Sequence, residues 1–266
     1  MTIDEQLETF KQLDMMLKRL WEKGKLWFDW PCNELYDKCS GVIPWKVYTI
    51  WAYSNVWKSK FAYWHIAYFL KQKKKVLIIN LEVDKTHCLM NIIQAVNNLS
   101  YKDMMNYRTT PEDFEFYRNL TITDDLYKLD DIVKKIEDEK ADVVFIDFVQ
   151  NIEGKGMWDY EKNATVAKTI QRTAIKTGSV IYSLSQLSNS VWRDVNNWNT
   201  DFISLKGSWE YYASSDVIFI LMRNGDEMIV KIAKNKFGRN WMEIVFDGDF
   251  VRNQFTYKRW WNGLDD

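Results

Sequence analysis

Ala52-Tyr53-Ser54-Asn55-Val56-Trp57-Lys58-Ser59 is the stretch that decides how this chain folds. An apolar run, Lys46 to Ile50, precedes it, and a helical pattern from about Ser59 to Lys71 follows it. The order predicts strand, tight loop, helix. A phosphate-binding loop reads G-x-x-x-x-G-K-[ST] in that setting. The Lys-Ser pair and the spacing fit, while the two glycine positions hold Ala52 and Trp57. In such a loop Lys58 reaches the β- and γ-phosphates, and the Ser59 hydroxyl ligates magnesium. Backbone N–H groups from Ser54, Asn55, Val56 and Trp57 through to Lys60 cradle the phosphates at the helix N-terminus. A Lys-Ser pair at a strand–helix junction is common, so the neighbouring segments must carry the argument further.

Three more strand ends bear polar groups. VLIINL (76–81) runs into Glu82, where a carboxylate can polarise a water. DVVFID (142–147) is four apolar residues ending in Asp147, the form of a Walker B strand. SVIYSLS (179–185) ends at Gln186, whose amide can sense a γ-phosphate. A capping role explains any one of these; four strand ends in one chain order are harder to read as capping. In open α/β sheets ligands bind outside the carboxyl ends of the strands. Between these runs lie a short strand at 120–123, an acidic helix at 129–139 and a helix at about 160–177. Three β-type runs close the chain, at 217–222, 228–235 and 242–247. The expected fold is α/β, with a mostly parallel central sheet flanked by helices and antiparallel strands at the C-terminal end.

Composition narrows the class. The chain has 266 residues, 47% hydrophobic and 27% charged, which excludes disorder and low complexity. The longest apolar stretch, Phe61 to Leu70, is interrupted by His65 and is too short to span a bilayer. No signal-peptide core follows the N-terminus. Three cysteines and two histidines exclude a disulfide framework and argue against a Cys/His zinc site. A reduced, cytoplasmic setting without a membrane is expected. The net charge of −1 does not advertise nucleic-acid binding, although a ring or groove can gather cations locally. Residues 1–30 read as an amphipathic linker helix, with Ile3, Leu7, Phe10, Leu13, Leu17 and Leu20 at helical spacing; residues 31–266 read as one domain. His65 on the helix after the loop reads as packed. Asp124-Asp125 and Asp130-Asp131 read as helix caps and solvated faces.

Taken in order, these motifs resemble the RecA-type ATPase core of DnaB-like replicative hexameric helicases, from about Leu35 to Tyr257. NLEV resembles the segment with the catalytic glutamate, here Glu82. VVFIDFVQNI resembles the Walker B strand and its loop, and SLSQLSNS the segment with the γ-phosphate-sensing glutamine, Gln186. KIAKNKFGRN resembles the hairpin that reaches into a neighbouring subunit's nucleotide site. The resemblance implies a RecA-like P-loop NTPase core using ATP and Mg2+, with Ser59 and Asp147 at the metal. Lys58, Glu82 and Gln186 would be catalytic, and Lys234, Lys236 or Arg239 would reach the next subunit's phosphates. It further implies a homo-hexamer on single-stranded DNA, a primase or loader as partner, and a role in replication. Two loops are placed to hold DNA, 151–159 with Lys155 and 187–201 with Arg193. The family usually has arginine where Lys236 stands, and lysine lacks the guanidinium fork. An ATPase-inactive structural subunit and a filament-forming recombination ATPase are the competing readings.

One count is anomalous. Tryptophan occurs 14 times and glycine 10 times. Glycine normally makes up about 7% of a soluble chain, roughly twice what is present here. Trp45, Trp57, Trp209 and Trp241 stand where the family has glycine or where a turn calls for it, and Trp51, Trp192 and Trp198 are read as loop residues of the same kind. An indole at 57 is expected to exclude the phosphates. Two explanations compete: UGA codons meant as glycine and read as tryptophan, or a Trp-rich, ATPase-dead homologue.

Overall fold

The computed structural model describes residues 11, 28–108, 110, 113, 117–153, 159–187 and 209–261. Of the expected N-terminal helix, only Lys11 and residues 28–30 fall within that set, and Lys11 is helical. The loops carrying Lys155 and Arg193 lie outside it, as do Trp192 and Trp198.

Helix α1 (Asn33–Cys39) leads into β1 (Val47–Ala52), then α2 (Lys58–Lys71) and β2 (Val76–Asn80). Next come α3 (Lys85–Asn97), α4 (Tyr101–Met104), β3 (Leu120–Thr123), α5 (Leu129–Glu139) and β4 (Val143–Asp147). Helix α6 (Asp159–Thr177), β5 (Val180–Gln186) and α7 (Trp209–Ser214) follow. The chain closes with β6 (Val217–Asn224), β7 (Glu227–Asn235), β8 (Met242–Asp249) and β9 (Gln254–Trp261).

All nine strands form one sheet in the order β3-β2-β4-β5-β1-β6-β7-β8-β9. The six strands from β3 to β6 are parallel, and β6 to β9 form an antiparallel meander. β1, β2 and β4 are buried at every position, on both faces alike. Such strands are continuous apolar runs because helices cover both sides. Helix α2 packs on α3, while α6 packs on α5 and α7. The strand β9 goes beyond the sequence expectation, and β1 runs on to Ala52. Trp51 therefore lies fully buried inside β1, not in a loop. Trp209 opens α7 and stacks on Tyr212.

Register brings the site together. Asn80 pairs with Asp147, and Ala52 with Gln186, so four parallel strands end level at one sheet edge. His65 is fully buried among Trp30, Phe61, Trp64 and Tyr182, as expected of a packed histidine; burial pushes its pKa down to about 4. Asp130 and Asp131 sit exposed in the first turn of α5, where negative charge suits the helix N-terminus.

The turn between β8 and β9 folds back over α2 and α3. Lys60 Nζ donates to the Phe250 carbonyl at 2.7 Å and to Asn253 Oδ1 at 3.0 Å. Asn253 Nδ2 donates to the Asn91 carbonyl at 3.0 Å, and Gln94 Nε2 to the Val251 carbonyl at 3.3 Å. Phe250 is pressed against Gly248, where an added Cβ would meet the ring at 2.6 Å. Three turns use a tryptophan in the left-handed region: Trp45 (φ 57°), Trp57 (65°) and Trp241 (63°). A side chain there costs about 1–2 kcal/mol per residue, because Cβ crowds the following carbonyl.

Candidate active site

The loop 53–57 joins β1 to α2, with Asn55 (φ 63°) and Trp57 (65°) both left-handed. Alternation of this kind turns successive N–H groups toward one side, the geometry of an anion cradle. Lys58 is the first residue of α2, and its side chain is buried. Its Nζ lies 2.8 Å from Asp147 Oδ1, 4.0 Å from Glu82 Oε2 and 4.6 Å from the centre of the Phe148 ring. Ser59 Oγ donates to the other Asp147 oxygen at 2.6 Å. The buried carboxylate thus grips the ammonium and the hydroxyl together, which is what a buried charge needs.

Glu82 stands just past the end of β2 and is exposed. Burial of the carboxyl raises its pKa, Asp147 adds to the rise, and Lys58 opposes it. Its backbone is pinned by Asn80, whose Oδ1 accepts the N–H groups of Glu82 and Val83, each at 3.1 Å. Gln186 ends β5, and Gln150 ties that end to the segment after β4. Gln150 Nε2 donates to Ser185 Oγ at 2.6 Å and to the Gln186 carbonyl at 2.9 Å.

These groups surround a cavity of about 430 Å³, walled by Ser54, Asn55, Trp57, Lys58, Ser59 and Lys60 on one side and by Glu82, Asp147 and Gln186 on the other. Val56 is the exception among the expected cradle residues: its side chain is buried in the core and its N–H donates to Tyr53 at 3.4 Å. Lys60 borders the cavity, but its ammonium is held by the β8–β9 turn. The Trp57 indole lies edge-on to Phe250, ring centres 4.2 Å apart, with the Arg223 guanidinium 4.3 Å over its face. It forms one wall and leaves the cavity open beside it.

Sequence reasoning missed Tyr53, Tyr63, His87 and Asn91 around this cavity, Arg223 over the Trp57 ring, and Gln150 behind Ser185 and Gln186. His87 and Asn91 are four apart at the start of α3, a spacing that puts both on one helix face, and that signal was available. The contribution of Gln150 depends on sheet register, which no local pattern shows.

The basic hairpin is not at this cavity. Asn235 pairs with Val217 at the start of β6, so Lys234, Lys236 and Arg239 lie at the opposite edge of the sheet from Lys58. One strand length, about 20 Å for six residues, separates the two edges. Lys236 Nζ donates to Asp216 Oδ1 at 2.9 Å, and Lys234 donates to the Tyr212 carbonyl at the end of α7. Burial, with Lys236 adding to it, lowers the Lys234 pKa to about 8. Arg239 is exposed, and its guanidinium has no partner among the described residues. Lys155 and Arg193 lie outside the described residues.

A parallel sheet with a lysine-bearing loop at its centre, acidic and amide strand ends around it and an antiparallel meander beyond has known counterparts. The chain superposes on a solved structure described as an ATPase domain with a TM-score of 0.78, at 18% identity, over 97% of this chain and 99% of that one. It superposes on a DnaB-like replicative helicase, described with its interactions with primase, at 0.76 and 18% identity, over 96% of this chain and 67% of that one. The chain therefore shares the RecA-like fold of these two structures. No family model matches the sequence, and no curated protein matches it. The architecture is the one expected from the motifs, with Lys58, Glu82, Asp147 and Gln186 around one cavity. Among the described residues no helix is long and apolar enough to cross a membrane.

Proposed function

We propose that this chain is the motor subunit of an ATP-driven DNA helicase or translocase of the DnaB-like type. The observation that carries the reading is the division of labour between two sheet edges. Lys58, Ser59, Glu82, Asp147 and Gln186 meet at one edge, while the exposed Arg239 sits at the other. A basic group that far from its own cavity is placed to serve a second copy, and on this reading the site is completed at a heterologous, head-to-tail interface.

Ser59 and Asp147 offer one hydroxyl and one carboxylate. That partial, hard-oxygen set suits Mg2+, which takes one or two protein ligands and fills the rest with water and substrate phosphates. When bound, the ion would neutralise charge on the β- and γ-phosphates of ATP. Lys58 would then pair with the phosphates, and Ser59 and Asp147 would hold the metal. Glu82 orients the attacking water. Gln186 reports the γ-phosphate to the loop that follows it, and Arg239 of the adjoining copy neutralises developing charge, with Lys234 and Lys236 behind it. Catalysis is then positioning plus electrostatic stabilisation. Lys155 and Arg193 are the DNA-facing candidates, multiplied by a ring of six copies. On this reading residues 31–266 are the motor domain, and a primase or loader is the natural partner in replication.

The test is ATP hydrolysis with and without single-stranded DNA, in protein carrying Trp57→Gly, together with electron microscopy. DNA-stimulated turnover and closed six-membered rings are expected. Open filaments would favour a recombination ATPase. One observation favours an inactive scaffold instead: the Trp57 indole walls the cavity. Absence of ATP binding in the glycine variant would establish that reading and end the motor proposal.

A further inference from the structure

Bulky residues rarely adopt a left-handed φ, and asparagine does so readily. Among the described residues Asn55, Asn98 and Asn253 follow that preference, yet three tryptophans, Trp45, Trp57 and Trp241, share it. No described Phe, Tyr, Leu, Ile or Val is left-handed, so bulk alone does not explain the tryptophans. Ser40, Lys73 and Lys140 are left-handed as well, and Gly41, Gly178 and Gly225 adopt the same handedness with no Cβ to crowd the backbone.

The backbone of each of the three residues is hydrogen-bonded in its turn. Trp45 enters β1 through its backbone, donating its N–H to the Gly178 carbonyl at 3.2 Å. Trp57 caps α2 without a side-chain hydrogen bond. Trp241 donates its N–H to the Ile232 carbonyl at 2.7 Å; its half-exposed ring lies under the Lys231 ammonium, 5.5 Å from the ring centre. Trp64 is the contrast: it sits inside α2, buried, with Phe246 and Phe255 each 5.6 Å from its ring centre.

We infer that positions 45, 57 and 241 are glycine in the working protein, written as UGA in a gene whose host reads UGA as glycine. Trp64 is a true tryptophan, written UGG. Trp51 and Trp209 carry no such backbone sign. At 45 and 241 the consequence is relief of the backbone. At 57 it is functional: the ring that walls the cavity is gone, the main chain before Lys58 is bare, and the Arg223 guanidinium loses the face it covers. The assignment of the three residues stands on backbone geometry alone; its consequence for ATP rests on the motor reading.

The gene answers first. UGA at codons 45, 57 and 241 with UGG at codon 64 is expected; UGG at any of the first three, or UGA at 64, overturns the assignment. The protein answers independently. The double variant Trp45→Gly/Trp241→Gly of the full chain should melt at a higher temperature than the parent, because left-handed strain outweighs the extra freedom glycine gives the unfolded chain. An unchanged or lower melting temperature overturns it. Trp57→Gly should bind Mg-ATP at least about tenfold more tightly than the parent, by a gain of roughly 1.4 kcal/mol. UGA codons and a raised melting temperature without that gain would leave the glycines in place and remove the motor.

Discussion

On the proposed motor reading Lys58 and Glu82 divide binding from chemistry, and substitution separates the two. Lys58→Ala should abolish ATP binding, since it removes the cation that pairs with the phosphates, and it leaves the buried Asp147 without its ammonium partner. Glu82→Gln should keep ATP affinity while turnover falls by about 10²–10⁴, the usual contribution of a positioned acid or base; equilibrium binding alongside single-turnover kinetics reads both. Glu82 must be ionised to act, and its carboxyl is raised by burial and by Asp147. Turnover should therefore fall as pH drops through a value above the ordinary carboxylate range. Gln150 acts one step back, as a positioning residue joining the ends of β4 and β5. Gln150→Ala leaves the buried Ser185 hydroxyl without its partner, a cost of about 1–3 kcal/mol. ATP affinity should hold while DNA stimulation is lost; equal loss of both would make Gln150 merely structural. Lys58, Ser59, Glu82, Asp147 and Gln186 could all be picked out in the sequence, because each sits where an apolar run stops. Gln150 and Arg223 could not, because their partners are set by strand register and by a turn about 25 residues downstream of Arg223.

Elements with a strong local pattern were legible to the residue. The acidic helix 129–139 and the strand 120–123 match the observed spans, and the apolar strand before Asp147 differs by one position. β9 escaped notice because it is an edge strand of mixed polarity, Gln254–Trp261, with no continuous apolar run. Two elements yield tests of their own. Gly248 in β8 lies against the Phe250 ring, so Gly248→Ala overpacks the turn and should cost about 1–3 kcal/mol in urea denaturation. The same change on a Phe250→Ala background should cost less, since the two residues are in contact. At the far end of β7, Lys234 has a folded pKa of about 8 against an ordinary value of 10.5. Between those values the unfolded chain holds more protons than the folded one, so stability rises with pH across that window. Lys234→Met should flatten the rise, as followed by melting temperature between pH 8 and pH 10.

Across the whole molecule, the placement of Arg239 at one edge and Lys58 at the other predicts complementation. Lys58→Ala and Arg239→Ala proteins should each be inactive alone. Mixed in equal amounts, they should recover hydrolysis at about a quarter of the interfaces, where an intact loop meets an intact arginine. No recovery would mean that the arginine does not act between copies. The architecture was readable in the alternation of apolar strands and helices. The distance between the two edges was not, because it follows from the antiparallel return of β7 beside β6.

Lys60 is held by Phe250 and Asn253, 190 and 193 positions further along the chain. During synthesis the phosphate loop leaves the ribosome long before the turn that fastens its helix exists. A message broken before codon 250 would yield a polypeptide with Lys58, Glu82, Asp147 and Gln186 all present and nothing to fasten the helix that begins at Lys58.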